Sequence, residues 1–121
     1  MAVIKPTITA VGRGDGSTLQ AIWTPVTEAD SCAAISYPEC SDKSIQAIGT
    51  FGGSSVALNG SNYGTTYAAL RDPGGTTIAL SSAGIKAVLE NTTAIQPSIT
   101  GGTNQSLTIA MLLHLTNPLR Q

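Results

Sequence analysis

Turns arrive every few residues in the middle of this chain, and they leave room for little besides short antiparallel strands. Residues 41–80 read SDKSIQAIGTFGGSSVALNGSNYGTTYAALRDPGGTTIAL. Runs of apolar and hydroxyl residues are broken by Gly52-Gly53, Asn59-Gly60, Tyr63-Gly64 and Pro73-Gly74-Gly75, and the rhythm continues to Thr103. Such punctuation marks an antiparallel all-β domain with tight turns. In the sharpest turn Pro73 presets φ, and the glycines after it accept positive φ.

Alternation of side chains places the strands. Residues 3–11 read as a first strand, and Pro6, which lacks an N–H for a ladder, makes it an edge strand or an N-terminal arm within residues 1–10. Residues 19–26 form a second strand with Trp23 on the face of Leu19 and Ala21. Residues 27–42 are a long loop with both cysteines. Strands follow over 44–51, 55–59, 65–70 and 76–80. Ser81 and Ser82 can cap one short helical turn in which Ile85, Val88 and Leu89 fall at helical spacing. Ile95, Pro97 and Ile99 alternate in a strand that Pro97 again sets near an edge. The clearest strand is 106–115. There Leu107, Ile109, Met111, Leu113 and Leu115 share one face, while Thr108, Ala110, Leu112 and His114 make a half-polar face that another element or subunit would cover. About eight strands with hairpin spacing fit one antiparallel β-sandwich domain of jelly-roll or Greek-key type spanning residues 1–121.

Composition narrows the partners. Charged residues make up 11% of the 121 positions, against about 25% in ordinary soluble domains. With a formal net charge of -1 and six scattered Lys and Arg residues, nothing replaces counterions along a phosphate backbone, so nucleic acid is not an expected partner. Aromatics, at 4%, are too few for a base-stacking platform. The N-terminus, MAVIKPTITAV, has Lys and Pro inside its apolar run and does not read as a signal peptide. No run approaches the roughly 20 apolar residues of a spanning helix. The expectation is synthesis in a cytoplasm with no membrane partner. Cys32 and Cys40 could close a small disulfide, but in a cytoplasm they are expected to stay as thiols, and two cysteines without a nearby histidine complete no zinc site.

Chemistry is hard to find, and no enzyme, metal or cofactor is expected. His114 is the only histidine, so any Ser-His-Asp arrangement must use it, yet its mid-strand position reads as a packed or interface residue. Glu28 and Asp30 fall short of the six or more oxygens a calcium ion wants. Arg13-Gly14-Asp15 spells an adhesion tripeptide, but in a glycine-rich stretch it reads as a tight turn. Asn62, Tyr63 and Tyr67 admit two readings: a sugar platform, or a hairpin whose aromatic packs on the sandwich.

The blocks of residues 42–46 (DKSIQ), 49–53 (GTFGG), 56–62, Gly64, Asp72-Pro73, Gly75, Ala83-Gly84, 87–91 (AVLEN), Pro97 and 100–102 (TGG) carry a resemblance. In this order they resemble the small head decoration, or cement, proteins of tailed bacteriophages, over more than half the chain. Thr93, Ala94 and Gln96 depart from the family pattern, as does the cysteine-bearing loop. The resemblance implies a jelly-roll-like sandwich on the outer surface of a mature icosahedral head. Its partners would be the major capsid protein and itself, as a homodimer or homotrimer that bridges capsid subunits against the pressure of packed DNA. On that reading the arm (Val3, Ile4, Pro6) is the first candidate contact, because it is apolar and free to add to a neighbour. Trp23 and the Leu112/His114 face come next, for the shell or for self-association. The alternative function is a carbohydrate-binding module on a phage fibre or surface protein, centred on Asn62, Tyr63 and Tyr67.

Overall fold

The computed structural model describes residues 3–11, 18–28 and 30–115. These hold eleven strands: β1 (Val3–Ile4), β2 (Thr7–Ala10), β3 (Thr18–Thr27), β4 (Ser31–Cys32), β5 (Asp42–Thr50), β6 (Ser55–Ser61), β7 (Ala68–Ala69), β8 (Ala79–Leu80), β9 (Gly84–Ala87), β10 (Ala94–Thr100) and β11 (Ser106–His114). A five-stranded antiparallel sheet runs in the order β2-β3-β11-β5-β9. A smaller sheet is built on β6, which pairs with β10, β7 and β8. The inner faces meet in one core, so the chain is an all-β antiparallel sandwich. The Arg13-Gly14-Asp15 turn lies outside the described residues.

Period-two alternation builds that core. From the large sheet Ala21, Trp23, Ile45, Ala47, Leu107, Ile109, Met111 and Leu113 point inward and are buried. Val56, Leu58 and Ile95 oppose them from the small sheet. Each such aliphatic side chain contributes about 2 kcal/mol when fully buried. Pro97 is on β10, an edge strand, where a missing N–H costs no ladder bond.

Three expectations need correcting. The helical turn is a strand: Gly84–Ala87 pairs antiparallel with β5, and the amides of Val88 and Leu89 go to Lys43 O and Arg71 O. Partners across the sheet took these donors, so no i→i−4 ladder formed. The first strand is broken at Lys5-Pro6, with β1 joining β4 and β2 joining the edge of the large sheet. The loop of residues 27–42 is not without pairing, since it supplies β4 and an Ile35–Ile95 bridge.

Ion pairs pin the Asp72 turn against β9 and the segment after it. The amide and Nε of Arg71 donate to Glu90 at 2.8 and 2.6 Å, and Lys86 Nζ reaches Asp72 at 3.2 Å. The Thr76 amide and then Lys86 hold the Asp72 carboxyl below its ordinary pKa, and the Arg71 amide and guanidinium do the same for Glu90. A depressed folded-state pKa gives stability that is full above the unfolded value of about 4 and lost as pH falls through the folded value. Glu90→Gln is therefore expected to lower the urea midpoint at neutral pH, with the gap to wild type closing as pH falls below about 4. A gap that stays constant into acid would show that the Glu90 charge contributes nothing.

Candidate functional site

The outward side of the large sheet spans five strands, and its make-up follows from the register. One row across the sheet is Thr7, Ile22, Ala110, Gln46 and Ile85. The next is Thr9, Gln20, Leu112, Ser44 and Ala87. Thr24, Thr108 and Ile48 continue it at one end, joined by a 2.8 Å hydrogen bond between the threonine hydroxyls. Thr18, His114 and Asp42 close the other.

These rows contain no Lys, Arg or Glu, and their one carboxylate, Asp42, stands at the rim beside His114. Ile48, Ile85 and Leu112 are exposed at 44%, 62% and 46%. Because Ala110 is short, the middle of the face is dented by a shallow groove of about 230 Å³ lined by Gln20, Ser44, Gln46, Ile85 and Leu112. The face is mixed: Ile22, Ala110, Ile85, Leu112, Ala87 and Ile48 are apolar, and hydroxyl, amide, His114 and Asp42 side chains fill the rest.

His114 lies on this face and is exposed, and its Nδ1 shares a 3.0 Å hydrogen bond with Thr18 Oγ1. That partner is on β3, whereas Asp42 is on β5 at the other side of the ring. Glu28 accepts the Asn104 amide and Asp30 accepts the Thr27 amide and hydroxyl, so both carboxylates stabilise turns. Among the described residues no three His, Cys, Asp or Glu side chains come together as a metal would need.

The remaining candidates are placed as follows. Trp23 is corrected: it is fully buried, and its Nε1 donates to Ala33 O at 3.0 Å, so it offers nothing to a partner. The arm is corrected too. It is not free to add to a neighbour, because Val3–Ile4 pairs in parallel with β4 and the Ala33 amide donates to Ile4 O. Ile4 packs on the core and Pro6 is half-buried, which leaves Val3 as the exposed apolar residue of that segment. Asn62 and Tyr63 are brought together at an exposed turn after β6, where Ser61 Oγ accepts the Tyr63 and Gly64 amides and Thr93 donates to Asn62 O. Tyr63 is 74% exposed, while Tyr67 is half-buried further along the connection.

Two groups went unread in the sequence. Gln46 and Ile48 alternate with Ile45 and Ala47, so period two already puts them outside the core. Ile85 was hidden by its helical spacing. Lys43 is the other case: it faces inward and is only 3% exposed. Its Nζ donates to Cys40 O and Asn91 Oδ1 at 3.1 and 2.8 Å, and Asn91 donates in turn to Pro38 O. Burial pushes the Lys43 pKa down. The chain of bonds ties the cysteine loop to the segment before β10. Cys32 and Cys40 are free buried thiols, the former pushed up to about 12 by burial and then by Asp30, so neither is a ready nucleophile.

No protein-family model matches this chain, and no curated protein matches its sequence. Its fold is similar to that of the SPBc2 prophage-derived protein YomS, with a TM-score of 0.58 and 5% identity over 79% of this chain and 94% of that one. A chain from Bacillus endospore appendages, described as disulfide-linked pili, overlaps over 91% of this chain and 99% of its own at 10% identity, with a TM-score of 0.36. The first likeness is one of fold alone, and the second is too loose to carry an argument.

Proposed function

We propose that this protein is a structural component of a tailed-phage virion that docks on the outside of the mature capsid and stabilises it by bridging major capsid protein subunits. The observation that carries the reading is the outer face of the large sheet, whose rows hold no Lys, Arg or Glu and one carboxylate, Asp42, at the rim, which suits burial in an assembly of many copies. A shell gains from such a part without chemistry, because each modest contact is multiplied by avidity. The ordered sequence blocks of the decoration-protein resemblance support it, and so does the like fold of a prophage-derived protein. The non-enzymatic role accords with His114 being tied to a threonine and both buried thiols being poor nucleophiles.

Co-sedimentation with compact procapsids and with expanded heads tests the reading. Saturable binding to expanded heads alone is the expected result, and the plateau gives the copy number. Failure to bind either form would sink the shell reading. A second reading then leads, a glycan-binding module at Asn62 and Tyr63, favoured by the 74% exposure of Tyr63. Binding on a glycan array that disappears in Tyr63→Ala would support it.

A further inference from the structure

We infer that the depression between Asp42 and His114, at the rim of the docking face, is a seat for one basic side chain of the partner, an arginine or a lysine, held by the Asp42 carboxylate. The inference deepens the shell reading and rests on it.

Register builds the seat. Asp42 of β5 stands directly opposite His114 of β11, and Thr18 of β3 stands opposite His114 on its other side. Opposed positions in antiparallel strands have Cβ atoms about 5 Å apart, so the acid and the imidazole share one small depression. Its volume is about 130 Å³, and Asp42, Lys43, Ser44, Ala87, Leu112 and His114 line it. That is well under the roughly 300 Å³ of the smallest ligand pockets, and it suits a single side-chain head. Asp42 and Ser44 supply oxygens for the N–H groups of a cation. Leu112 and Ala87, both exposed, give its methylene stem an apolar surface to lie on.

Charge selects the occupant. The Asp42 carboxylate makes no hydrogen bond or ion pair among the described residues. Arg71 is committed to Glu90 and Lys86 to Asp72. Lys43, next in sequence, turns inward and donates to Cys40 O and Asn91 Oδ1. Asp42 favours its charged form without pairing with it. Lys5 precedes β2 at the Ile22 end of the sheet, away from Thr18. His114 Nδ1 is taken up by the Thr18 hydroxyl. While the face is free, water solvates the exposed carboxylate. Docking removes part of that water, and an acid covered without a partner costs more than a formed ion pair returns. A face with one charge therefore tells partners apart by whether they bring a cation to this one place.

Binding to expanded heads at about 50 and about 500 mM salt tests the seat, with Asp42→Asn and Asp42→Lys beside wild type. Wild type should bind less tightly at the higher salt. Asp42→Asn should bind roughly 10-fold more weakly at low salt and lose most of the salt dependence. Asp42→Lys, which sets like charges together, should lose at least roughly 30-fold. Asp42 is exposed and unbonded, so unchanged thermal midpoints control for folding. Asp42→Asn that binds as tightly as wild type, or more tightly, would overturn the inference. So would wild-type binding that tightens in acid and does so no longer in His114→Gln, because His114 would then be the counter-charge. Wild type that saturates heads with Asp42→Asn unchanged removes the seat alone. Wild type that ignores heads at both salts sinks the shell reading, and the seat with it.

Discussion

Trp23→Ala is expected to remove about 4 kcal/mol of folding stability, within the range seen when a buried tryptophan is truncated. The indole is fully buried on β3, opposite Ile109 of β11. Its loss leaves a cavity in the middle of the large sheet and orphans the Ala33 carbonyl that Nε1 now satisfies at 3.0 Å. That carbonyl belongs to the segment holding β4, so the change also loosens the docking of β1. Against a typical total of about 5–15 kcal/mol, the variant would be close to unfolding at body temperature. Trp23→Phe keeps one six-membered ring in the core and loses the donor together with part of the ring volume, so its cost should be smaller, about 1–3 kcal/mol. Urea titrations followed by far-ultraviolet circular dichroism read both, since the chain has no other tryptophan to report by fluorescence. A wild-type midpoint in Trp23→Ala would mean that the side chain is not in the core.

Trp23 also shows how far the sequence can be read. Its alternation with Leu19 and Ala21 already places it on the inward face, and β3 bears that out. What misleads is residue chemistry, because a lone tryptophan is as characteristic of interface anchors as of cores. Strands whose neighbours lie close in sequence were legible: the turn glycines bound β6, and the period-two pattern of β11 is nearly without fault. Elements whose partners are distant were not. Ile85, Val88 and Leu89 suit a helical face or a strand equally well, and only the proximity of β5 and Arg71 decides. The same holds for the arm, whose fate depends on β4 about 28 residues away. As for the candidate site, the half-polar side of β11 was visible in Leu112 and His114, but its extent was not. A face becomes a surface only when the registers of four neighbouring strands are known.

Gly49→Ala is expected to cost roughly 3 kcal/mol, although the position is exposed and no side chain is lost. Gly49 lies near the end of β5 opposite Leu107, with φ at 117°, a region that L residues rarely enter. A Cβ there would fall 2.3 Å from Ser106 O and 3.3 Å from Leu107 Cα. Both neighbours are backbone held in the ladder, so nothing can swing aside, and relief requires β5 and β11 to part at their ends. Gly53 is the internal control. Its φ is 87° but no atom stands within 4 Å of a new Cβ, so Gly53→Ala carries only the left-handed penalty of about 1 kcal/mol. Measured side by side in urea, the first variant should lose roughly three times as much as the second. Equal losses would show that φ alone matters and that the close approach of β5 to Ser106 is not felt. The consequence reaches the docking face, because residues 49–53 carry the chain from the large sheet into the small one. Parting β5 from β11 there would displace Ile48 and Thr108 while leaving Leu112 in register. Gly49→Ala should therefore weaken binding to expanded heads as well as folding, and Gly53→Ala should leave it intact.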